Sequence, residues 1–449
     1  MEYSNEQIKW LEVILSERLL DGLTLRPSFN NSVFLYIQGF KNYIEIKSNN
    51  SNSVLFDSEE SVASWDYDNF KWNGLFDGKI KTPGRSELKH PIISETDFGY
   101  TIDYDILNLT YFMLSRVEEV SSLNLDQHDR FPATSSHAFK HGYLERPIVD
   151  EWLNILAQVM QKLWPTVELK CHSFNMKVSH DVDAPSRYIF QDLKGLFRRM
   201  AGDILKYGNF MSALLAPYQR LKSHQKLPEK DSLNKFNWLM DLSEKHNLTS
   251  TFYFICGKTH NQTDADYEVK HPAIRALMKE IHMRGHEVGL HPSYNTCQSP
   301  EAIVKEAKEL RRICAEENIE QKEWGARMHY LRWEHPTTLY GLEAANMSYD
   351  NTLGYADHVG FRCGTCFEYP AYDPVEDFQL NIRIRPLIVM DQTILAKGYM
   401  GLGTTNSAYN KLIELKNACR AVNGTFTLLW HNNQLQTNKL RNLYSSLLE

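Results

Sequence analysis

The stretch VSHDVD, residues 178–183, decides the fold of this chain. It is an apolar run of strand length that ends on two aspartates one residue apart, Asp181 and Asp183. A strand that ends in this way can direct one carboxylate toward a metal ion and leave the other free to take a proton from water. The same pair could instead cap the turn that follows the strand. Both interpretations stay open on this stretch alone.

Further strand-length apolar runs follow along the chain, with longer helical segments between them. The candidate strands are 174–180, 250–256, 286–290, 323–327, 346–349, 384–390 and 425–430. The ionisable residues at their C-terminal ends are Asp181, Asp183, His291, Arg327, Asp350, Asp391 and His431. This alternation is typical of a parallel sheet or barrel, and catalytic groups collect at that end of strand-helix barrels. The sequence therefore predicts an α/β fold with a site at the carboxyl edge of its sheet.

The length of 449 residues indicates two domains. Residues 1–165 mix short strands with two helical patterns, over 105–120 and 149–163, and we expect a smaller N-terminal α+β domain there. The strand-helix rhythm begins after Pro165. We therefore expect a barrel domain over residues 170–449.

The overall charge and composition bear on partners and location. The 49 basic and 56 acidic residues give a net charge of −7, so we expect no nucleic acid or anionic membrane as partner. No apolar run reaches the roughly 20 residues that a bilayer span needs, which predicts no membrane insertion. The acidic, polar N-terminus is unlike a secretory signal, and seven scattered cysteines suit a reducing compartment. We expect a cytoplasmic protein.

The segment from Ile189 to Asp231 stands apart from the strand-helix rhythm. It is rich in Lys, Arg and Met at helical spacing and contains no candidate strand. We interpret it as an inserted helical excursion between the first two strands. A solvated pair of surface helices and a basic clamp for substrate are the two alternatives, and we favour the first.

Three further motifs complete a family pattern: GHEVGLH at 285–291, RMHY at 327–330 and LLWH at 428–431. Together with 178–183 they resemble the polysaccharide deacetylase family, carbohydrate esterase family 4, over residues 170–449. The resemblance implies a distorted (β/α)7 deacetylase-type barrel. It also implies a metal-dependent hydrolase that removes N-acetyl groups from an amino sugar in a polysaccharide or glycan precursor, and so cleaves a non-peptide C–N bond.

The resemblance assigns roles to single residues of the first motifs. Asp181 would be the general base, and Asp183 and His291 would bind the metal ion. Arg327 would orient the base, and the backbone amide of Tyr330 would donate a hydrogen bond to the oxyanion. Outside the family context, Arg327 at a strand end would be a surface ion-pair partner.

The last motif supplies the acid. The resemblance implies that His431 protonates the departing amine. Asp391 closes the run 387–390 and is placed to hold the other ring nitrogen of this histidine. We expect the two residues to form a pair.

Two positions depart from the family pattern. Asn295 stands where a second metal-binding histidine is usual, four residues after His291, and His329 stands where proline is usual. An amide oxygen can bind a hard cation but is a poor ligand for zinc. We expect Asp183, His291 and Asn295 to hold a divalent ion, most simply Zn, or else Co or Mn, in a site that is weak or empty.

The substrate and the rival functions follow from the same motifs. The expected partner is an N-acetylated sugar or glycan, with Trp333 and Trp430 as stacking faces for pyranose rings, although core packing is the usual role of such residues. One alternative is a catalytically inactive deacetylase-like protein that binds glycan. Another is hydrolysis of a different non-peptide C–N bond in a small metabolite. The N-terminal part resembles a domain of unassigned function and would support the barrel or position substrate.

Overall fold

The computed structural model describes residues 3–28, 32–48, 62–70, 72–207, 210–222 and 225–449. The chain packs into two compact units. The first consists of Met1–Asn175, Leu353–Ile388 and Glu414–Phe426. The second consists of Met176–Thr352, Val389–Ile413 and Thr427–Glu449. The domain bounds 1–165 and 170–449 stay a prediction.

The described residues contain helices and strands throughout both units. The helices are α1 Asn5–Arg18, α2 Ile106–Ser115, α3 His137–Lys140, α4 Ile148–Leu163, α5 Leu193–Tyr207, α6 Phe210–Lys222, α7 Phe236–Lys245, α8 Pro272–Met283, α9 Pro300–Glu316, α10 Thr337–Ala344, α11 Asp391–Leu395, α12 Asn406–Ala421 and α13 Asn438–Leu448. The strands are β1 Leu23–Ser28, β2 Ser32–Ile37, β3 Tyr43–Lys47, β4 Ser64–Asp66, β5 Lys79–Lys81, β6 Ile93–Thr96, β7 Gly99–Ile102, β8 Asn175–Val182, β9 Ser250–Ile255, β10 Glu287–His291, β11 Gly325–Ala326, β12 Tyr349–Asp350, β13 Tyr369–Asp373, β14 Phe378–Ile384, β15 Val389–Met390 and β16 Thr425–Leu429. A search of the described residues finds no helix with the length and apolar character of a bilayer span.

The first unit is an α+β arrangement. Its main sheet has the order β1-β2-β3-β7-β6, with β3 and β7 parallel and the other neighbours antiparallel. Helix α1 begins at a capping box. The Ser4 side chain accepts a hydrogen bond from the Gln7 backbone N–H, and the Gln7 side chain accepts one from the Ser4 backbone N–H. Helix α4 buries Trp152, whose ring stacks on Trp65 at 5.5 Å between centroids. Strands β13 and β14 pair as an antiparallel hairpin in this unit.

The second unit contains a parallel sheet in the order β12-β11-β10-β9-β8-β16-β15. All six residues of β9 are buried, as expected for a strand covered on both faces. In the described part of the chain no pairing joins the two ends of this order, β12 and β15. The protein is therefore a mixed α/β protein with a large parallel sheet, and in the described residues the predicted distorted (β/α)7 barrel is not closed.

Each predicted strand overlaps an observed one, with three local corrections, the first being that the strand predicted over 346–349 is observed at Tyr349–Asp350. The prediction of one strand over 384–390 is wrong, because β14 ends at Ile384 and only Val389 and Met390 form β15. Pro386 between them has no N–H to donate to a ladder. The prediction over 323–327 shortens to Gly325 and Ala326. A Cβ on Gly325 would lie 2.2 Å from the ring of Tyr349, so only glycine fits there.

Candidate metal centre

The carboxyl ends of neighbouring strands bring the predicted residues to one place. Asp181 is the second-to-last residue of β8, and Asp183 directly follows that strand. His291 is the last residue of β10. Arg327 directly follows β11, and His431 follows β16 by two residues. Parallel strands end at the same edge of a sheet, so residues far apart in sequence share one site.

Three side chains at this edge form a cluster suited to a cation: Asp183, His291 and His329. Each offers one ligand atom, and these atoms all lie within 4.8 Å of one another. Asp183 Oδ1 is 3.4 Å from His291 Nε2 and 3.8 Å from His329 Nε2. The two imidazole rings are 4.9 Å apart between centroids. A carboxylate and two imidazoles form a donor set typical of catalytic zinc and related divalent ions.

Hydrogen bonds at the far side of each ring fix which nitrogen faces the cluster. His291 Nδ1 contacts the backbone carbonyl oxygen of Arg327, and a carbonyl can only accept, so Nδ1 carries the hydrogen. His329 Nδ1 lies 3.0 Å from Asp264 Oδ1, a carboxylate that also accepts. In the neutral rings both Nε2 atoms then present lone pairs to the cluster. A metal-binding histidine commonly has its other nitrogen held in this way.

The burial and electrostatics of the ligand atoms fit a bound cation. His291 Nε2 and Asp183 Oδ1 are buried atoms with no hydrogen-bond partner. A buried polar atom without a partner is costly, and a metal ion would satisfy both. Burial acts to raise the pKa of Asp183, but the neighbouring histidines His291, His329 and His431 lower it below its usual range. The carboxylate is therefore charged and available as a ligand.

Asp181 is held beside this cluster by Arg327. The Arg327 Nη1 donates to Asp181 Oδ1 at 2.8 Å, and its Nη2 donates to the Ser179 hydroxyl at 2.7 Å. Its Nε donates to the backbone oxygen of Asn351 at 3.1 Å. The other carboxylate oxygen, Asp181 Oδ2, faces His291 Nε2 at 3.5 Å. The structure thus orients one oxygen of Asp181 with a guanidinium and leaves the other turned toward the cluster.

His431 and Asp391 form the expected pair. His431 Nδ1 lies 2.7 Å from Asp391 Oδ1, and the backbone N–H of His431 donates to Asp391 Oδ2 at 2.7 Å. The opposite nitrogen, His431 Nε2, faces Asp183 Oδ2 at 3.6 Å and Asp181 Oδ2 at 3.9 Å. Burial acts to lower the pKa of His431, but the carboxylates of Asp391, Asp183 and Asp181 raise it to about 10. The imidazole therefore carries a proton at neutral pH.

Tyr330 lies at the rim of the cluster in an unusual backbone conformation. Its φ of 62° is in the left-handed region, which is rare for residues other than glycine. Its ring is 37% exposed and meets the rings of His329 and Tyr294 edge to face. Strained backbone of this kind is often found where a binding site fixes a peptide group.

Asn295, the third metal ligand predicted from the sequence, has hydrogen bonds to protein groups. Its Oδ1 accepts from Arg332 Nη1 at 3.1 Å, and its Nδ2 donates to the carbonyl oxygen of Thr259 at 3.1 Å. Both ends of the amide are thus engaged with protein groups. Among the His, Cys, Asp and Glu side chains of the described residues, His329 is the third member of the cluster, and the role of Asn295 as a ligand stays a prediction.

The two predicted stacking residues are buried. Trp333 is 6% exposed and lies against His335 at 4.8 Å between ring centroids. Trp430 is fully buried and packs on Tyr444. Their faces contact protein, which argues against sugar stacking. Tyr330 is an aromatic residue at this edge that solvent reaches.

His329 and Asp264 are the residues that the sequence interpretation missed. His329 was noted only as a replacement of proline. One signal was present, because a missing histidine at 295 and an extra one at 329 can be read as a single exchange of ligand. Asp264 lies in the connection after β9, and no motif marks it.

Asp264 is the hub of a buried hydrogen-bond network behind the cluster. Its Oδ1 also accepts the Tyr294 backbone N–H at 2.8 Å, and its Oδ2 accepts the backbone N–H groups of Thr259 and His260 at 2.8 and 2.7 Å. Burial raises the pKa of Asp264, but His329 and these amides lower it to about 2. Its carboxylate is therefore fixed in charge and position, and it fixes His329 in turn.

Comparison with known proteins gives three findings. Residues 13–165 match the model of a family of unknown function, DUF7033. No curated protein sequence matches the chain. Similar solved structures include a putative polysaccharide deacetylase from Mycobacterium smegmatis, at 14% identity and a TM-score of 0.38 over 62% of this chain and 84% of that one. Another is Puue allantoinase, at 10% identity and a TM-score of 0.35 over 62% of this chain and 82% of that one.

Proposed function

We propose that this protein is a metal-dependent hydrolase that removes N-acetyl groups from an amino sugar in a polysaccharide or glycan precursor. The observation that carries the proposal is the convergence of Asp183, His291 and His329 beside an oriented Asp181 and a protonated His431. The acetamido substrate class comes from the motif resemblance in residues 178–183, 285–291, 327–330 and 428–431.

Asp183, His291 and His329 would hold the ion, with His329 in the place first expected for Asn295. A divalent ion in this site would polarise the amide carbonyl and lower the pKa of water. The fit rests on the buried, unpartnered His291 Nε2 and Asp183 Oδ1. Zinc suits the two imidazoles better than the amide of the expected Asn295 set, because neutral imidazole is the stronger zinc ligand.

Asp181 and His431 would move the two protons of the reaction. Asp181 Oδ2 would take a proton from the attacking water, while Arg327 on Oδ1 holds the carboxylate in its orientation. His431 Nε2 would give its proton to the departing nitrogen, and Asp391 on Nδ1 stabilises the imidazolium. The backbone N–H of Tyr330 would donate to the oxyanion. A base and an acid beside one ligand cluster are what amide hydrolysis requires.

The test is acetate release by the full chain loaded with Zn, Co or Mn. The substrates are acetylated amino-sugar oligomers, polymers and lipid-linked sugars. We expect acetate with at least one substrate, and loss of that activity in Asp181→Asn with the metal content unchanged. Metal-loaded protein that releases no acetate from the whole panel would overturn deacetylation and leave the metal site standing.

A matched control separates chemistry from folding. Asp241 is an exposed aspartate that pairs with Arg284 at 2.6 Å outside the cluster. Asp241→Asn makes the same chemical change as Asp181→Asn and should keep full activity. Equal activity loss in both variants would show that the loss does not come from the base.

A further inference from the structure

Helices α5 and α6 present an unusual concentration of exposed apolar side chains. Of the 20 large hydrophobic side chains exposed in the described residues, nine lie between 193 and 221. They are Leu193, Phe197, Ile204, Leu205, Phe210, Met211, Leu214, Tyr218 and Leu221. Single exposed hydrophobic residues are normal on a protein surface, but a concentrated patch marks an interaction site.

The exposed residues follow helical stripes. In α5, Phe197 follows Leu193 by four residues, and Leu205 lies two further steps of four along the same side. In α6, Leu214 and Tyr218 follow Phe210 at the same interval. Residues four apart lie on one face of a helix. Each helix therefore carries an apolar face that solvent reaches.

A second apolar face of each helix is already buried inside the protein. Leu196 of α5 and Ala216 of α6 form a small core with Tyr188, and Met200 packs against it. The exposed stripes are thus additional to the face that holds the helices in place. A helix that is apolar on two sides needs a second apolar environment.

Helices α5 and α6 form the α5–α6 hairpin, which hydrogen bonds tie to the neighbouring residues of the chain. Arg187 Nε donates to Asp203 Oδ2 at 2.9 Å, and the Tyr188 hydroxyl bonds the same carboxylate. Asp231 accepts the backbone N–H of Arg187 at 2.9 Å. The apolar stripes therefore belong to a fixed element.

The charge of this segment is opposite to that of the rest of the chain. Residues 193–226 contain seven Lys and Arg against one acid, Asp203, for a net charge of +6. The whole chain carries −7, so the other residues carry −13. Lys194 and Arg198 are exposed on either side of Phe197. The one acid, Asp203, is bonded by Arg187 and Tyr188, whereas Lys194 and Arg198 place positive charge in solvent beside the exposed stripe of α5.

We propose that the α5–α6 hairpin docks the protein on an anionic membrane surface, with its apolar stripes in the interfacial region. Helices of 15 and 13 residues are too short to span a bilayer. Apolar faces flanked by Lys and Arg are the pattern of helices that lie in the interface of anionic lipids. The expectation of no anionic membrane partner rested on the total charge, which hides this local reversal. The proposal does not depend on the hydrolase function.

Co-sedimentation of the full chain with vesicles tests the proposal. We expect binding to phosphatidylcholine vesicles that contain phosphatidylglycerol, and roughly tenfold or more weaker binding to phosphatidylcholine alone. Raised NaCl should weaken the binding. Phe197→Ser combined with Leu214→Ser should abolish it, and Lys194→Glu combined with Arg198→Glu should reduce it by roughly tenfold or more.

The matched control changes two exposed hydrophobic residues outside the hairpin, Leu123→Ser and Met283→Ser, which are 96% and 75% exposed. This variant should bind vesicles like the wild type. Failure of the wild type to bind anionic vesicles overturns the proposal, and so does equal binding by the hairpin variants. Self-association that the Phe197 and Leu214 changes abolish, without vesicle binding, would show instead that the face joins two copies of the chain.

Discussion

The first and the second unit each contain a cluster of buried charged side chains. The two clusters differ in whether their polar atoms have hydrogen-bond partners. In the first unit, Arg116, Glu119 and Arg362 are each at most 3% exposed in their side chains. In the second, Asp183, His291 and His329 gather at the end of the parallel sheet. Both clusters contain acid and base, so charge and burial alone do not distinguish them.

The cluster around Glu119 is internally complete. Glu119 Oε1 accepts from Arg116 Nε at 2.9 Å and from Arg362 Nε at 3.0 Å. The remaining Arg362 Nη1 donates to the backbone oxygen of Gly354 at 2.9 Å. Burial acts to raise the pKa of Glu119, but Arg362 and Arg116 lower it to about 2. Such a network holds backbone segments together.

In the cluster around Asp183, by contrast, some buried polar atoms have no hydrogen-bond partner. Asp183 Oδ1 and His291 Nε2 are buried without a hydrogen-bond partner, whereas the outer nitrogens of the histidines are well bonded. A buried ion network in which every charged group has a partner holds the structure together. Side chains that have one end held by hydrogen bonds and the other end without a partner mark a binding site. Four predictions follow from this contrast.

The largest expected effect is on catalysis. Under the proposed function, Asp183→Asn should lower acetate release in the presence of the metal by at least about a thousandfold, because the amide is a weaker ligand than the carboxylate and the ion is lost. Without metal the variant should stay folded, but its free energy of unfolding should fall, since the lowered pKa of Asp183 means that its charged carboxylate stabilises the fold. Steady-state acetate release and urea unfolding measure the two quantities. A variant that unfolds in parallel with its loss of activity would make this cluster structural.

Glu119→Gln should lower the stability of the protein and leave its metal binding unchanged. It removes the carboxylate that Arg116 and Arg362 share and leaves Arg116 paired with Glu118 alone, and we expect a loss of about 3–5 kcal/mol in the free energy of unfolding. Metal content per folded chain should not change. Urea unfolding of the wild type and the variant, with Glu145→Gln as a surface control, gives the comparison. A loss below about 1 kcal/mol would contradict the structural role.

The same residue predicts a pH dependence. The pKa of Glu119 is depressed to about 2 in the folded protein, against an ordinary value near 4.3 in the unfolded chain. The stabilisation is present above the unfolded pKa and is lost as the pH falls from about 5 to about 2. It amounts to about 3 kcal/mol. The difference in stability between wild type and Glu119→Gln should therefore shrink over this range, and a constant difference would refute the assignment.

The smallest effect concerns Asp264, the residue behind His329. Asp264→Asn weakens the hold on His329 Nδ1, and loss of the carboxylate that fixes a metal-binding histidine lowers metal affinity by about 10- to 100-fold. Competition against a chromophoric chelator measures the affinity at a temperature where the variant is folded. Asp241→Asn is the matched control. Unchanged affinity in Asp264→Asn would show that His329 does not depend on this carboxylate.

Local patterns in the sequence were sufficient for the strands and for the residues at their ends. Asp181, Asp183, His291 and His431 follow apolar runs, and the parallel sheet brings such ends together whatever the loop lengths are. The pairing of His431 with Asp391 followed for the same reason, because β16 and β15 are neighbours.

Other features depended on contacts that no local pattern encodes. His329 enters the cluster through the conformation around Tyr330, and Asp264 reaches it from a connection without periodicity. The amide of Asn295 is engaged by Arg332, a contact between segments far apart in sequence. The exposed stripes of α5 and α6 required knowledge of which helix face the small core around Tyr188 already covers.

Metal content of the full chain tests the central claim most directly. The wild type, Asn295→Ala, His329→Ala and Asp183→Asn are each incubated with Zn, Co or Mn, freed of excess ion and measured by mass spectrometry of the metal. We expect about one tightly held ion per chain in the wild type and in Asn295→Ala, and loss of that ion in His329→Ala and Asp183→Asn. Retention of the ion in His329→Ala with its loss in Asn295→Ala, or a wild type that retains no ion, would contradict the site described here.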